Sequence, residues 1–297
     1  MKSDSLQIGN HTFKWGSKTY VMGILNVTPD SFSGDGILAL SGAAGEVETA
    51  VEQAREFLAS GADILDIGGE STRPGSEPVS ANEELERVIP AIRSIASEFP
   101  EAIISIDTYK AKVAEAAFQA GAHVLNDVWG LRADTDLGSV AAAAHVPVIL
   151  MHNRSHPASV EVRAQLGNAY IGSTYENLVE DVKRELMVSV ELALKAGIEE
   201  SHIILDPGIG FGKTREHNLE LINRLDEIRA LGFPILLGTS RKSFIGFTLD
   251  LPAEQRVEGT AATVAVGIVR GADVVRVHDV KEMARVARMT DAIVRAR

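Results

Sequence analysis

The sequence predicts an α/β protein, a (β/α)8 TIM barrel with an N-terminal β-hairpin. Three observations carry this expectation. Eight short apolar, β-rich runs alternate with longer stretches of helical periodicity. The runs are continuous rather than alternately apolar and polar, which suits strands covered on both faces of a parallel sheet. A pattern of helix end, glycine, alanine, polar residue and strand recurs in SGADILDIG (60–68), QAGAHVLND (119–127) and RGADVVRVHD (270–279), as a repeating βα unit would. A doubly wound open sheet competes, but the unit count and the 297-residue length favour the barrel.

The elements follow in order. The first 19 residues fit no βα unit and read as a hairpin, with Gly16-Ser17 near its second strand, placed to cover the barrel floor. The strands are YVMGIL (20–25), DILDIG (63–68), AIISID (102–107), HVLND (123–127), VPVILM (146–151), HIILD (202–206), PILLG (234–238) and DVVRVH (273–278). Between them, Ala81 to Glu98, Thr174 to Ala196 and Glu254 to Arg270 carry apolar residues at helical spacing. Gly61, Gly121 and Gly271 stand just past helix ends, where positive φ is needed. On this reading residues 1–297 form a single domain, with 1–19 the hairpin and 20–297 the barrel.

Composition narrows the partners. The net charge is −12 and no lysine- or arginine-rich run stands out, which speaks against nucleic acid. The absence of cysteine excludes disulfides and thiolate chemistry and is compatible with a reducing cytoplasm. The start, MKSDSLQIGNHTFKWG, has no apolar core of signal-peptide length, and no run is long enough to span a membrane. A cytoplasmic location without a membrane partner is expected.

IILDPGIGFGKT (203–214) looks at first like a nucleotide phosphate loop, because it ends in Gly212-Lys213-Thr214. That motif, G-x-x-x-x-G-K-[ST], wraps a phosphate with backbone N–H groups. Its first glycine would fall at Pro207, which has no N–H to give, and Gly208 makes the loop one residue short. Lys213 is therefore read as a surface or loop residue rather than a phosphate ligand. Other catalytic signatures fail as well. Gly238-Thr239-Ser240-Arg241-Lys242 is not a nucleophile elbow, no H-E-x-x-H occurs, and His152 and His156 lie in a proline-bracketed loop.

Active sites of such barrels lie at the C-terminal strand ends. Asn26 follows the first run and Glu70-Ser71-Thr72-Arg73 the second. Asp107, then Asn126 and Asp127, then Met151 and His152, and then Asp206 end the next four. Ser240 to Ser243 follow the seventh, and Arg276 and His278 end the eighth. Singly, each reads more readily as a helix cap or turn residue. Together, Asp107, Asn126 and Asp206 make an acidic, hydrogen-bonding pocket, and Lys242, Arg276, His278 and Arg73 a cationic rim. Such a pocket suits a ligand with a donor-rich head and an anionic tail.

These motifs occur in one order: MGILNVTPDSFSGDG (22–36), DIGGESTRPGSEPVS (66–80), SIDTYK (105–110), LNDVWG (125–130), ILDPGIGFGKT (204–214), LLGTSRKSFIG (236–246) and VRVHDVKEMAR (275–285). They resemble the dihydropteroate synthase family over nearly the whole barrel. The resemblance implies a reaction in which a dihydropterin carrying CH2–O–pyrophosphate meets p-aminobenzoate, pyrophosphate leaves, and 7,8-dihydropteroate forms. It implies Asp107, Arg73 and Lys242 in the chemistry, with pterin contacts at Asp107, Asn126, Asp206 and Lys242. Thr72, Met151 and Phe211 are implied as further substrate contacts. Arg276 and His278 would meet the pyrophosphate, and Ser243, at a helix start, the p-aminobenzoate carboxylate. The resemblance further implies Mg2+ contacted by Asn26, and a homodimer. One departure is visible: the acid of the first loop stands at Asp35, one place later than the family's SFSDGG, so no role is carried onto it. A pterin-dependent methyltransferase would share the acids but has no evident use for STRPG, SRKS and a cationic rim suited to pyrophosphate. A non-catalytic pterin-binding relative would keep the pocket and lose the leaving-group side, and the presence of Asn26, Arg276 and His278 argues against it.

Overall fold

The computed structural model describes residues 4–28, 42–71, 78–155, 160–163, 167–170 and 173–295. The chain opens with β1 (Ser5–Ile8) and β2 (His11–Lys14), then runs through β3 (Tyr20–Asn26), α1 (Gly42–Ser60), β4 (Ile64–Gly68), α2 (Ala81–Glu98) and β5 (Ile103–Asp107). It continues as α3 (Ala111–Ala120), β6 (Val124–Asp127), α4 (Leu137–Ala144), β7 (Val148–Met151), β8 (Val160–Arg163) and β9 (Gly167–Tyr170). Then come α5 (Leu178–Lys195), β10 (Ile203–Asp206), α6 (Arg215–Asn223), α7 (Leu225–Arg229) and β11 (Leu236–Leu237). The chain closes with α8 (Ser243–Leu249), α9 (Val257–Val269), β12 (Val274–Val277) and α10 (Val280–Val294).

Eight strands pair in parallel in the order β10-β7-β6-β5-β4-β3-β12-β11. A parallel bridge between Leu205 and Ile235 joins the two ends, and the Leu205 N–H donates to Pro234 O at 2.9 Å. The sheet thus closes into the expected barrel. All eight apolar runs form strands, the seventh shrinking to the two residues of β11.

Two apolar layers fill the barrel and its surroundings. The larger lies between strands and helices. The smaller plugs the N-terminal end. Leu6, Ile8 and Phe13 of the hairpin pack there under inward residues of the strands, among them Met22, Ile64, Ile103 and Ile204. The hairpin therefore forms the floor, as the sequence suggested. Its turn lies at Gly9-Asn10 between Ile8 and His11, and Gly16 follows the second strand.

Helix α2 has the expected bounds, begun by Ser80, whose Oγ accepts the Glu83 N–H at 3.2 Å. The helix expected from Thr174 begins later, at Leu178, because Asn177 caps it. The one expected from Glu254 begins at Val257, after a separate short turn over Ala253–Gln255. Gly61, Gly121 and Gly271 adopt φ of 100°, 115° and 98°, as helix ends require. The antiparallel pair β8–β9, between β7 and α5, was not foreseen; each strand has only four residues, too few for a clear period.

Candidate active site

The polar strand ends converge at the mouth opposite the hairpin. Asp107 ends β5 and Asp206 ends β10, with Asn126 one residue short of the end of β6. Arg276, on β12, reaches across. Its Nε donates to Asp66 Oδ2 at 2.6 Å and its Nη2 to Asp107 Oδ2 at 2.6 Å. Asn126 Nδ2 donates to the same Asp66 oxygen at 3.0 Å. Two of the three guanidinium nitrogens are thus engaged by carboxylates, so Arg276 belongs to the acidic cluster as much as to a cationic rim.

Asp66 was missed at the sequence level. The search took only residues at or after strand ends, and Asp66 lies inside the run of β4, fully buried. The available signal was a carboxylate in the middle of an otherwise apolar strand, since acids are rarely buried without a partner.

Burial raises the proton affinity of the acids. Asp107 is pushed up first by burial and then by the nearby Asp66, Glu84 and Asp127 carboxylates, against the pull of Arg276. Asp206 is pushed up by burial, against Lys242, the Gly208 N–H, Arg276 and Lys213. Its Oδ1 accepts that N–H at 2.7 Å, which fixes one carboxylate oxygen against the loop. Asp127 is held elsewhere: its two oxygens accept the N–H groups of Trp129 and Leu131, so it shapes the turn after β6.

Lys242 stands half-buried before α8, with its Nζ donating to Ile209 O and lying 4.6 Å from the centre of the Phe211 ring. Burial brings its pKa down to about 8, against the attraction of Asp206. Ser243 is the first residue of α8. Arg241, between Ser240 and Lys242, adopts a left-handed φ of 56° and pairs with Asp279. The His278 N–H donates to Ser240 Oγ at 3.1 Å, and His278 Nδ1 lies 3.0 Å from the same oxygen. Asn26 ends β3 beside Gly68, and Met151 ends β7 buried. Thr72 and Arg73, like Phe32, Asp35 and His156, lie outside the described residues. Among the described residues no group of three or more His, Asp or Glu side chains is placed to hold a metal ion.

The glycine-rich segment has a different purpose from phosphate binding. Gly208 has a φ of 69°, and a methyl group there would land on the His152 carbonyl oxygen. The loop after β10 is therefore pressed backbone to backbone against the exit of β7, which only glycine permits. Lys213 is in this loop but is not a surface residue: it is 3% exposed. Its Nζ donates to Gly208 O (2.8 Å), Phe211 O (3.1 Å) and His152 Nδ1 (2.9 Å). With Nδ1 accepting, the His152 proton sits on Nε2, 3.0 Å from Glu185 Oε2, and Glu185 also pairs with Arg154. Burial, with Lys213 beside it, lowers the His152 pKa to about 3 and keeps the ring neutral. Thr214 then caps α6. Residue type alone does not show that Lys213 turns inward, because its partners are His152, just after β7, and two backbone carbonyls of its own loop.

Comparison with known proteins agrees with this arrangement. The family pattern of pterin binding enzymes matches residues 22–278. The chain is 51% identical over 291 residues to the dihydropteroate synthase of Clostridium beijerinckii, covering 98% of this chain and 100% of that one. It resembles the crystal structure of a dihydropteroate synthase from Clostridium difficile in the presence of pteroic acid, with TM-score 0.85 and 47% identity over 95% of this chain and 99% of that one. It also resembles a Xanthomonas albilineans dihydropteroate synthase with 4-aminobenzoic acid, with TM-score 0.86 and 38% identity over 99% of each chain.

Proposed function

The chain belongs to the dihydropteroate synthases, within the pterin binding enzymes, and from that premise we propose how its residues carry the reaction. The enzyme is a transferase of folate biosynthesis. It condenses 6-hydroxymethyl-7,8-dihydropterin pyrophosphate with p-aminobenzoate to give 7,8-dihydropteroate and pyrophosphate.

The observation that carries the assignment of roles is the acid cluster at the mouth, bridged by Arg276. The pterin presents a guanidine-like edge of N–H donors. Asp206, one oxygen already fixed by Gly208, offers the other to that edge, and Asn126 can accept or donate beside it. Breaking the CH2–O bond sends the electron pair out with pyrophosphate and leaves positive charge on the pterin. Asp107 lies where that charge develops, so its attraction is stronger in the transition state than before it. The p-aminobenzoate nitrogen then bonds to the methylene carbon and loses a proton. Lys242 reaches a polar pterin atom, and Phe211 lines the ring. Arg276 and His278 face the pyrophosphate, with Thr72 and Arg73 closing on the substrate and Met151 lining the pocket. Ser243 and the N–H groups after it receive the p-aminobenzoate carboxylate.

Mg2+ completes the proposal. Asn26, at the end of β3, would supply one hard oxygen to a magnesium ion, which prefers oxygen ligands and keeps much of its water. When bound it adds positive charge beside the leaving group. The chain is proposed to work as one domain in the cytoplasm and as a homodimer. Support for the dimer is an apolar strip on the adjoining helices α9 and α10, where Val269, Met289 and Ile293 are 60%, 63% and 66% exposed. Sedimentation of Val269→Glu together with Met289→Glu should show a monomer where the wild type is a dimer; a wild-type monomer rejects this part.

The reaction itself is tested by following pyrophosphate release from the pterin pyrophosphate with Mg2+, with and without p-aminobenzoate. Release should depend on p-aminobenzoate and match dihydropteroate mole for mole. Pterin bound without release would point to a non-catalytic relative.

A further inference from the structure

Asp66 is the fully buried carboxylate that none of these roles uses. It lies deeper than the strand-end residues, in the middle of β4, directly across the ladder from Ser105 of β5. Its Oδ2 takes two donors, Arg276 Nε at 2.6 Å and Asn126 Nδ2 at 3.0 Å. Among the described residues, its Oδ1 has no hydrogen-bond partner, and neither does Ser105 Oγ beside it.

An ionised carboxylate only accepts hydrogen bonds, so the Asn126 amide must turn its nitrogen toward Asp66. That settles which way the amide faces, a choice its own side chain leaves open. The same oxygen holds the guanidinium by Nε, which leaves Nη2 to reach Asp107. One buried atom thus sets the orientation of Asn126, which meets the pterin, and of Arg276, which spans from Asp66 to Asp107. A buried acceptor without a donor is destabilising, so stability alone does not account for this residue. We propose that Asp66 is the positioning residue of the pterin site, fixing the Asn126 amide and aiming Arg276 at Asp107. The proposal rests on the pterin reading of the site given above.

The test is calorimetric binding of 6-hydroxymethyl-7,8-dihydropterin pyrophosphate across a pH series. Asp66→Asn keeps the shape and removes the charge. It is expected to fold, and to lose pterin affinity by about 10–100-fold, the range by which partners that orient a metal ligand act on metal affinity or activity. A second readout separates positioning from general damage. The groups facing Asp107 are Arg276, Asp66, Glu84, Asp127 and Lys242. Without Asp66, Arg276 is no longer aimed at Asp107, and its pull on that carboxylate outweighs the repulsion lost with the Asp66 charge, so the loss of affinity at acid pH, where Asp107 takes a proton, should move to higher pH. Wild-type affinity in the variant, or an acid limb that stays in place or moves to lower pH, overturns the proposal.

Should Asp66→Asn not fold, Asn126→Asp carries the question. It sets a second carboxylate against Asp66 in place of an N–H donor. Its pterin affinity relative to wild type should be poor at pH 8 and recover by about tenfold or more near pH 5, once the two acids share a proton. No recovery overturns the proposal. A wild-type protein that takes no pterin overturns the reading of the site, and this inference with it; a wild type that binds and an unaffected variant overturn the inference alone.

Discussion

Lys213→Met tests how the loop after β10 is held. The ammonium is 3% exposed and donates to two backbone carbonyls, those of Gly208 and Phe211, and to His152 Nδ1, all within 3.1 Å. Methionine occupies similar space and donates nothing. Each buried acceptor left without a donor costs about 1–3 kcal/mol. The opposing effect is relief: the lysine charge is costly where it stands, and burial holds its pKa well below the ordinary value. Removing one member of a buried charged network costs about 3–5 kcal/mol, since the partners stay behind. Here the carbonyls cannot turn to water, because Gly208 is pressed against His152. Setting the relief against these losses leaves a net destabilisation of about 2 kcal/mol. At about 2–4 °C per kcal/mol for a domain of a few hundred residues, the midpoint of thermal unfolding should fall by about 4–8 °C. The loop also carries Ile209 and Phe211, which meet Lys242, so pterin affinity should fall with it. Nitrogen NMR of His152 offers a local check, because the wild-type ring must keep its proton on Nε2. A variant with the wild-type midpoint and pterin affinity would refute the view that this ammonium holds the loop.

Three further outcomes are expected. Asp206→Asn removes the charge but not the shape of the proposed pterin acceptor. It should weaken pterin binding by about 1.5–3 kcal/mol, or roughly 10–150-fold by calorimetry, and near-normal affinity would reject the assignment. His152 is 1% exposed with a folded-state pKa near 3, below its unfolded value of about 6.5. The unfolded chain therefore binds a proton there that the folded chain refuses. Stability should drop as pH falls from about 6.5 toward 3, by up to about 1.4 kcal/mol per pH unit. His152→Gln should flatten that slope in urea unfolding, and equal slopes would exclude the assignment. Lys242, with a pKa of about 8, loses its charge as pH rises through that value. Pterin affinity should show a basic limb there, which Lys242→Arg moves to much higher pH; an unmoved limb belongs to another group.

How much of this could be read from the sequence depends on the range of the interaction. The eight strands were legible because burial on both faces forces a continuous apolar run, a local property of each segment. The helix-ending glycines were legible because left-handed backbone is nearly specific to glycine. Asp107, Asn126 and Asp206 could be placed together because the barrel puts strand ends at one mouth. Helix starts were off by a few residues where Asn177 and the turn before Val257 intervene. What stayed hidden is pairing across the barrel. Nothing near Arg276 in the chain indicates that it bridges Asp66 and Asp107, since those partners are 210 and 169 residues away. Lys213 was misplaced partly for the same reason: one of its three partners is His152, 61 residues earlier, and the other two are backbone carbonyls, which residue type does not reveal.

The balance of charge at the mouth suits a reaction that creates a cation. Asp66, Asp107 and Asp206 face Arg276 and Lys242, with Glu84, Asp127 and Lys213 nearby, so with every group ionised the carboxylates outnumber the cations. Water could screen such an excess, but these carboxylates are nearly or fully buried. Burial accordingly pushes Asp107 and Asp206 up, which means that their charged forms are poorly solvated where they stand. A poorly solvated anion gains more from a cation beside it than a well-solvated one does. In the proposed reaction no net positive charge sits on the pterin until the CH2–O bond begins to break. The attraction from Asp107 therefore grows along the reaction coordinate, whereas the hydrogen bonds from Asp206 to the pterin edge are formed before it. On this argument Asp206 governs binding and Asp107 governs the rate, although the two carboxylates end strands of one barrel, with only β6 and β7 between them, and share Arg276 in their surroundings.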